Sequence, residues 1–189
     1  MSENGYPESP INCLPAVDPE SGDLITVVET PKGFRNKFKF EHKTGLFKLS
    51  GILPAGAVFP FDFGFIPSTL GEDGDPLDVL ILMDEPAFTG CIIPCLLIGV
   101  IQAVQKQKGE KKERNDRLIA VSVKTHLYAG IKKLSRLQTR IIDEIEHFFI
   151  SYNQLRGRTF TPVGRYDSTR ARKILQTGIN SYKRNGYPE

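Results

Sequence analysis

From Leu24 to about Ile101 the apolar positions alternate with polar ones, or run continuously, in short stretches: LITVVE, NKFKFE, LFKLS, AVFPFDFGF, LDVLILM and CLLIGVI, separated by Pro and Gly. That pattern predicts successive β-strands. Residues 105–117 are almost wholly polar and lie between CLLIGVI and LIAVSV; a long hairpin is expected there, its charges solvated. After Lys133 the period lengthens. Leu134, Leu137, Ile141, Ile145, Phe148, Tyr152 and Leu155 recur every three or four residues, which predicts a helix of about five turns. Ser135 and Gln138 read as its capping box and Gly157 as its end. A second helix is expected from Asp167 or Ser168, with Ala171, Ile174, Leu175 and Ile179 on one face. The implied class is α+β, mainly β: a many-stranded antiparallel sheet, closed on itself, with helices added at the C-terminal end.

The chain has 189 residues, 40% apolar and 25% charged, enough for one domain with a core of its own. Residues 1–22 are rich in Pro, Ser, Asn and Gly and read as an arm that packs late or stays loose. Residues 23–184 read as the single domain and 185–189 as a tail. Three cysteines, Cys13, Cys91 and Cys95, form no CxxC pair, which fits a reducing compartment and neither a disulfide framework nor a zinc ribbon. No secretory signal is expected at the N-terminus and no apolar run approaches the ~20 residues of a membrane helix. A cytoplasmic protein without a membrane partner follows.

The net charge of +3 is unevenly distributed. Residues 49–105 contain no Lys or Arg and seven carboxylates, so this block carries −7 against +10 for the remainder. Inside it lies Gly71-Glu72-Asp73-Gly74-Asp75-Pro76-Leu77-Asp78, running directly into VLILM. In extended chain Asp73 and Asp75 would point to one side about 7 Å apart, and a turn at Pro76 would bring Asp78 to them. At an effective dielectric near 20 each such pair repels by roughly 2.4 kcal/mol. A compact cluster therefore implies a divalent cation, and with no nearby His or Cys the hard oxygen ligands select Mg²⁺ or Mn²⁺. Spacing alone leaves a second reading open, an acidic surface turn in which Asp and Gly serve the backbone. His42, His126 and His147 sit in no motif, and GxSxG, GxxxxGK[ST] and GxGxxG are all absent. Lys37 and Lys39 on a strand, Arg117 opening another, and Arg156 and Arg158 after the long helix supply basic company. Metal beside Lys and Arg suits a polyanionic phosphate substrate.

These residues carry a resemblance. Val28-Glu29-Thr30-Pro31, Arg35-Asn36-Lys37, Phe59-Pro60, Phe63-Gly64-Phe65-Ile66-Pro67, Glu72 to Asp78, Asp116-Arg117-Leu118-Ile119-Ala120-Val121 and Ile145-Glu146-His147-Phe148-Phe149 leading to Tyr152 resemble the family I soluble inorganic pyrophosphatases, from about Ile25 to Leu175. The resemblance implies an OB-type five-stranded β-barrel flanked by C-terminal helices, a homo-oligomer (hexamer or dimer), and Mg²⁺-dependent hydrolysis of pyrophosphate to two phosphates. Carried over by position, Asp73 and Asp78 would ligate the principal metal, Asp78 bridging to a second. Asp75 would bind metal and take the proton of the attacking water, and Glu29 would help hold further metal. Lys37, Arg117 and Tyr152 would hold phosphate oxygens.

Departures from the family pattern all touch charge or hydrogen bonding. Lys39 stands in place of Glu, Gly51 in place of Arg, Asn153 in place of Lys, and Phe59, Phe63 and Phe65 in place of Tyr. The DxK element becomes Asn115-Asp116-Arg117; Asp116 is expected to supply the metal-ligating carboxylate. Glu110 falls near another metal-binding Asp. These departures motivate an alternative, a pyrophosphatase-like module that binds a phosphate ligand with little or no turnover. A nucleic-acid-binding barrel is disfavoured, because the aromatics that could stack on bases lie in the acidic block.

Overall fold

The computed structural model describes residues 9–107, 109 and 111–185; Glu110 and positions 1–8 and 186–189 fall outside. In chain order the elements are β1 (Leu24–Thr30), β2 (Asn36–Glu41), β3 (Leu46–Ile52), β4 (Asp62–Phe65), β5 (Asp78–Leu82), β6 (Ile92–Gln107), β7 (Glu113–Arg114), β8 (Arg117–Ser122), α1 (Thr139–Gln154), β9 (Arg158–Asp167) and α2 (Ser168–Arg184).

Five strands pair in the order β1-β4-β5-β8-β6, and β6 pairs back onto β1, closing an OB-type barrel. The expectation of an antiparallel sheet needs one correction: β5 and β8 are parallel, Val79 opposite Leu118. The hairpin from β6 returns the chain as β8, which inserts between β6 and β5. Alternation along a strand carries no information about its partner, so this pairing was invisible in the pattern. β2 and β3 form a separate two-stranded sheet.

Successive residues of the central strands enter two different cores. Leu80, Leu82, Ile119 and Val121 pack with Ile142, Ile145 and Phe149 of α1. Val79, Ile81, Leu118 and Ala120 pack with Ala171 and Leu175 of α2. Burial on both faces explains why these strands read as continuous apolar runs.

The helices need two corrections. Ser135 does not cap α1; its N–H and hydroxyl donate to the Asp167 carboxylate at 2.8 and 2.9 Å, a short 3₁₀ turn spans Leu134–Arg136, and α1 starts at Thr139. Between the helices the chain adds β9 along the outer half of β6, Arg158 opposite Gln107. Pro162, Gly164 and mostly exposed side chains gave it no apolar alternation. The expected hairpin over 105–117 is present as the turn between β6 and β8, with β7 on its return arm. Residues 9–22 pack against the domain: Ala16 is buried, Val17 bridges to Leu24, and Asn12 bonds His42 Nδ1 at 2.8 Å.

α2 also positions the acidic loop. Leu70 N–H donates to the Gly178 carbonyl at 3.0 Å. A Cβ at Gly178 would lie 2.6 Å from Leu77 Cδ1, so glycine lets helix and loop approach without displacing the Leu77 side chain.

Candidate active site

The acidic loop is a turn rather than extended chain at 73–75. Gly74 has φ +79°, Gly71 N–H donates to the Asp75 carbonyl at 2.8 Å, and Asp75 N–H donates to Asp73 Oδ1 at 3.2 Å. Thr69 locks the base of the loop, its hydroxyl accepting from Leu77 N–H at 3.0 Å and donating to the Ile66 carbonyl at 2.6 Å. Asp78 opens β5 as the chain enters the core.

Glu29, Lys37, Asp73, Asp75, Asp78, Arg117 and Tyr152 all line one cleft of about 360 Å³. Six of the seven come from β1, β2, the loop, β5 and β8, and Tyr152 descends from α1. Of the expected site residues, Asp116 is not brought to this cleft. Its carboxylate accepts from Arg114 Nε at 2.8 Å and from Ala103 N–H at 3.0 Å and lines a neighbouring depression under α2. Asn115, like Asp73 and Asp78, lines both hollows and donates from Nδ2 to Gln105 Oε1 at 3.1 Å. Gln105, Gln107 and Glu113 also line the cleft; they belong to the polar hairpin, whose pattern gave no sign that one face turns inward.

The carboxylates burden one another. Glu29 is buried and accepts the Phe40 N–H at 2.8 Å. Burial pushes its carboxyl up to about 7; the Phe40 bond opposes the shift and the Asp78 charge adds to it. Burial likewise raises Asp73 above the ordinary carboxylate value, against the Asp75 N–H and with the charges of Asp78 and Asp75. Lys39 donates to Asp75 Oδ2 at 2.7 Å. Burial disfavours the lysine's charge, but the Asp75 bond and the Asp75, Glu29 and Asp78 charges outweigh it and hold Lys39 above its ordinary value. An oxygen-only set in which burial drives Glu29 and Asp73 towards protonation fits a hard divalent cation. Among the described residues no three Asp, Glu, His or Cys side chains are yet gathered closely enough to ligate one ion, since Asp75 and Asp78 are turned to Lys39 and Arg117.

Arg117 is 5% exposed. Its Nη1 forms an ion pair with Asp78 Oδ2 at 2.6 Å and donates to the Asp116 carbonyl at 3.1 Å and to Asn115 Oδ1. Its guanidinium carbon lies 4.7, 5.4 and 5.9 Å from the ring centroids of Phe149, Phe160 and Phe63. Lys37 Nζ sits 5.5 Å from the centroids of both Phe63 and Tyr152. The Phe63 ring thus faces two cations.

The inorganic pyrophosphatase family model matches residues 26–183. The chain belongs to the inorganic pyrophosphatase family. Among curated relatives, the inorganic pyrophosphatase of Leifsonia xyli subsp. xyli is 38% identical over 162 residues, covering 85% of this chain and 96% of the relative. That of Synechocystis sp. is 32% identical over 170 residues, 90% and 97% of the two chains. The solved inorganic pyrophosphatase of Thermus thermophilus superposes with a TM-score of 0.82 at 30% identity, over 93% of this chain and 98% of that one. The inorganic pyrophosphatase of Neisseria gonorrhoeae gives 0.81 at 31%, over 92% and 98%. Asn115, Arg117 and Asp78 form one connected unit, Arg117 donating to Asn115 Oδ1 and ion-paired with Asp78. Asn153 is buried in the cleft wall and donates to the Phe149 carbonyl at 2.8 Å.

Proposed function

We propose that the cleft hydrolyses inorganic pyrophosphate to two phosphates. The observation that carries this is the juxtaposition, within one cleft of a pyrophosphatase-family barrel, of four carboxylates and a set of cations that includes Lys37, ion-paired with no carboxylate among the described residues. Asp73, Asp75 and Asp78, with Glu29 beside them, would hold the metal, Asp75 exchanging Lys39 for the ion. Mg²⁺ or Mn²⁺ supplies, when bound, polarisation of phosphoryl oxygens and a water of lowered pKa. Asp75 accepts a proton from the attacking water, whose oxygen bonds to phosphorus as the bridging P–O bond breaks and its electron pair leaves with the second phosphate. Lys37, Arg117 and Tyr152 hold the phosphate oxygens, Arg117 from a dry aromatic cage in which its charge is little screened.

Asp75→Asn should abolish phosphate release while Mg²⁺ binding partly survives; release at the wild-type rate would remove Asp75 from the role of base. A binding module with little turnover is favoured by one observation, that Asp116 is committed to Arg114 and an amide, Asn115, stands at the cleft. Calorimetry distinguishes the two: tight pyrophosphate binding in Mg²⁺ without phosphate release supports the module. Free Cys13, Cys91 and Cys95 support a cytoplasmic location, and exposed Phe88 and Leu127 support self-association. No helix among the described residues is long and apolar enough to cross a membrane.

A further inference from the structure

Beside the cleft lies a second hollow of about 370 Å³, between the acidic loop and α2, a volume that suits a small ligand. Asp73, Asp78 and Asn115 form the wall it shares with the cleft, whereas Lys37, Arg117 and Tyr152 do not line it.

The chemistry of the hollow starts at Gln102. Ile101 and Ala103 enter the core under α1 and Val100 the core under α2, so alternation along β6 turns Gln102 towards α2. It is 4% exposed, yet its carboxamide makes no hydrogen bond to any described residue. Among the described residues Arg117 Nε is the one buried side-chain polar atom that is both sealed from solvent and unpaired. The Gln102 amide is therefore unpaired without being sealed, and opens into the hollow that it lines. Buried amides are ordinarily paired, and a ring edge that offers a donor and an acceptor together satisfies both ends of one.

The rest of the lining fits a phosphate ester of such a ring. Leu77 from the loop and Ile174 from α2 give the hollow apolar surface. Arg170 and Lys173 stand one turn apart on α2, exposed and, among the described residues, in no ion pair. Two such cations match the charge of a phosphate monoester, roughly −2 at neutral pH. Glu72, at the loop's edge, is an acceptor of the kind that takes ribose hydroxyls. Inorganic phosphate would leave the amide and the apolar surface unused.

We propose that this hollow is an effector site for a nucleoside monophosphate, with the base edge on the Gln102 amide, the ring against Leu77 and Ile174, and the phosphate on Arg170 and Lys173. Glutamine pairs bidentately with N6 and N7 of adenine, which selects adenosine monophosphate. Bound there, the nucleotide bridges α2 to the loop that presents Asp73 and Asp78, so nucleotide and Mg²⁺ strengthen each other's binding reciprocally. The coupling, though not the site, rests on the metal reading of the acidic loop.

Calorimetry with adenosine monophosphate, ribose 5-phosphate and inorganic phosphate, in chelator, tests the site independently of turnover. Wild type should bind the nucleotide more tightly than either of the others. Arg170→Ala and Lys173→Ala should each weaken it roughly tenfold, the value of one charge-assisted hydrogen bond. Gln102→Leu should also weaken it, while unfolding in urea at or above the wild-type midpoint, because the amide it removes has no protein partner. Lys37→Ala, in the cleft, should bind it as wild type does. A Mg²⁺ titration at saturating nucleotide should show severalfold tighter metal binding, and Gln102→Leu should abolish that gain. No nucleotide binding at millimolar concentration, inorganic phosphate bound as tightly as the nucleotide, or binding lost in Lys37→Ala and kept in Gln102→Leu overturns the site. Mg²⁺ affinity that the nucleotide leaves unchanged overturns the effector role, and no Mg²⁺ binding at all overturns the metal reading while the titrations in chelator still decide the site.

Discussion

Arg117 Nη1 lies 2.6 Å from Asp78 Oδ2, with side-chain exposures of 6% and 25%, the least exposed ion pair among the described residues. It couples β8 to the start of β5 at the floor of the cleft. Removing one partner of such a pair strands the other. Arg117→Met should therefore lose about 3 kcal/mol in urea unfolding, and Arg117→Lys, which keeps the charge but not the fork, about 1 kcal/mol. An unchanged midpoint for the Met variant would show that the pair does not hold the floor together.

Glu29 gives the metal-free protein a pH-dependent stability. Its folded carboxyl titrates at about 7 and its ordinary value is 4.5, so the folded state binds this proton more tightly. The contribution is complete below 4.5 and is lost as pH rises through 7. Between pH 5 and 7.5, with chelator present, wild type should lose roughly 2 kcal/mol relative to Glu29→Gln. The difference between the two proteins is the quantity to read, because burial lowers His42 and its titration acts with the opposite sign. Parallel stability profiles would contradict the assignment.

Lys39 competes with metal for Asp75. Both side chains are about half exposed, so the pair contributes no more than about 1 kcal/mol. Lys39→Ala should lower the Mg²⁺ concentration for half-maximal binding by up to about fivefold; weaker Mg²⁺ binding in that variant would mean the lysine supports the site rather than opposes the ion.

Gly64 lies where β4 crosses β1. A Cβ there would fall 2.0 Å from the Val27 carbonyl oxygen and 3.0 Å from Val28 Cα, atoms of backbone that cannot swing aside. Gly64→Ala should destabilise the barrel by about 4 kcal/mol or more; a cooperative transition at the wild-type midpoint would rule out this contact as the reason for glycine.

Much of the fold was legible because burial on one or two faces imposes its own period. LITVVE, LDVLILM and LIAVSV are strands, and the residues chosen for the long helix lie within α1 or just beyond its two ends. The parallel β5–β8 pair was not legible, since register and partner are tertiary properties. Nor was β9, an edge strand that buries little. In the site, the Asp73, Asp75 and Asp78 loop could be found by its spacing, although Gly74 makes it a turn rather than an extended run. The fate of Asp116 could not be found: a carboxylate one position from Asn115 points to the other side of the strand's entry, where Arg114 and the Ala103 N–H already wait.

Phosphate release from pyrophosphate by the wild-type protein at saturating Mg²⁺ tests the central claim most directly. The site described here predicts two phosphates per pyrophosphate, with release lost in Asp75→Asn. Pyrophosphate that binds tightly and stays intact would contradict it.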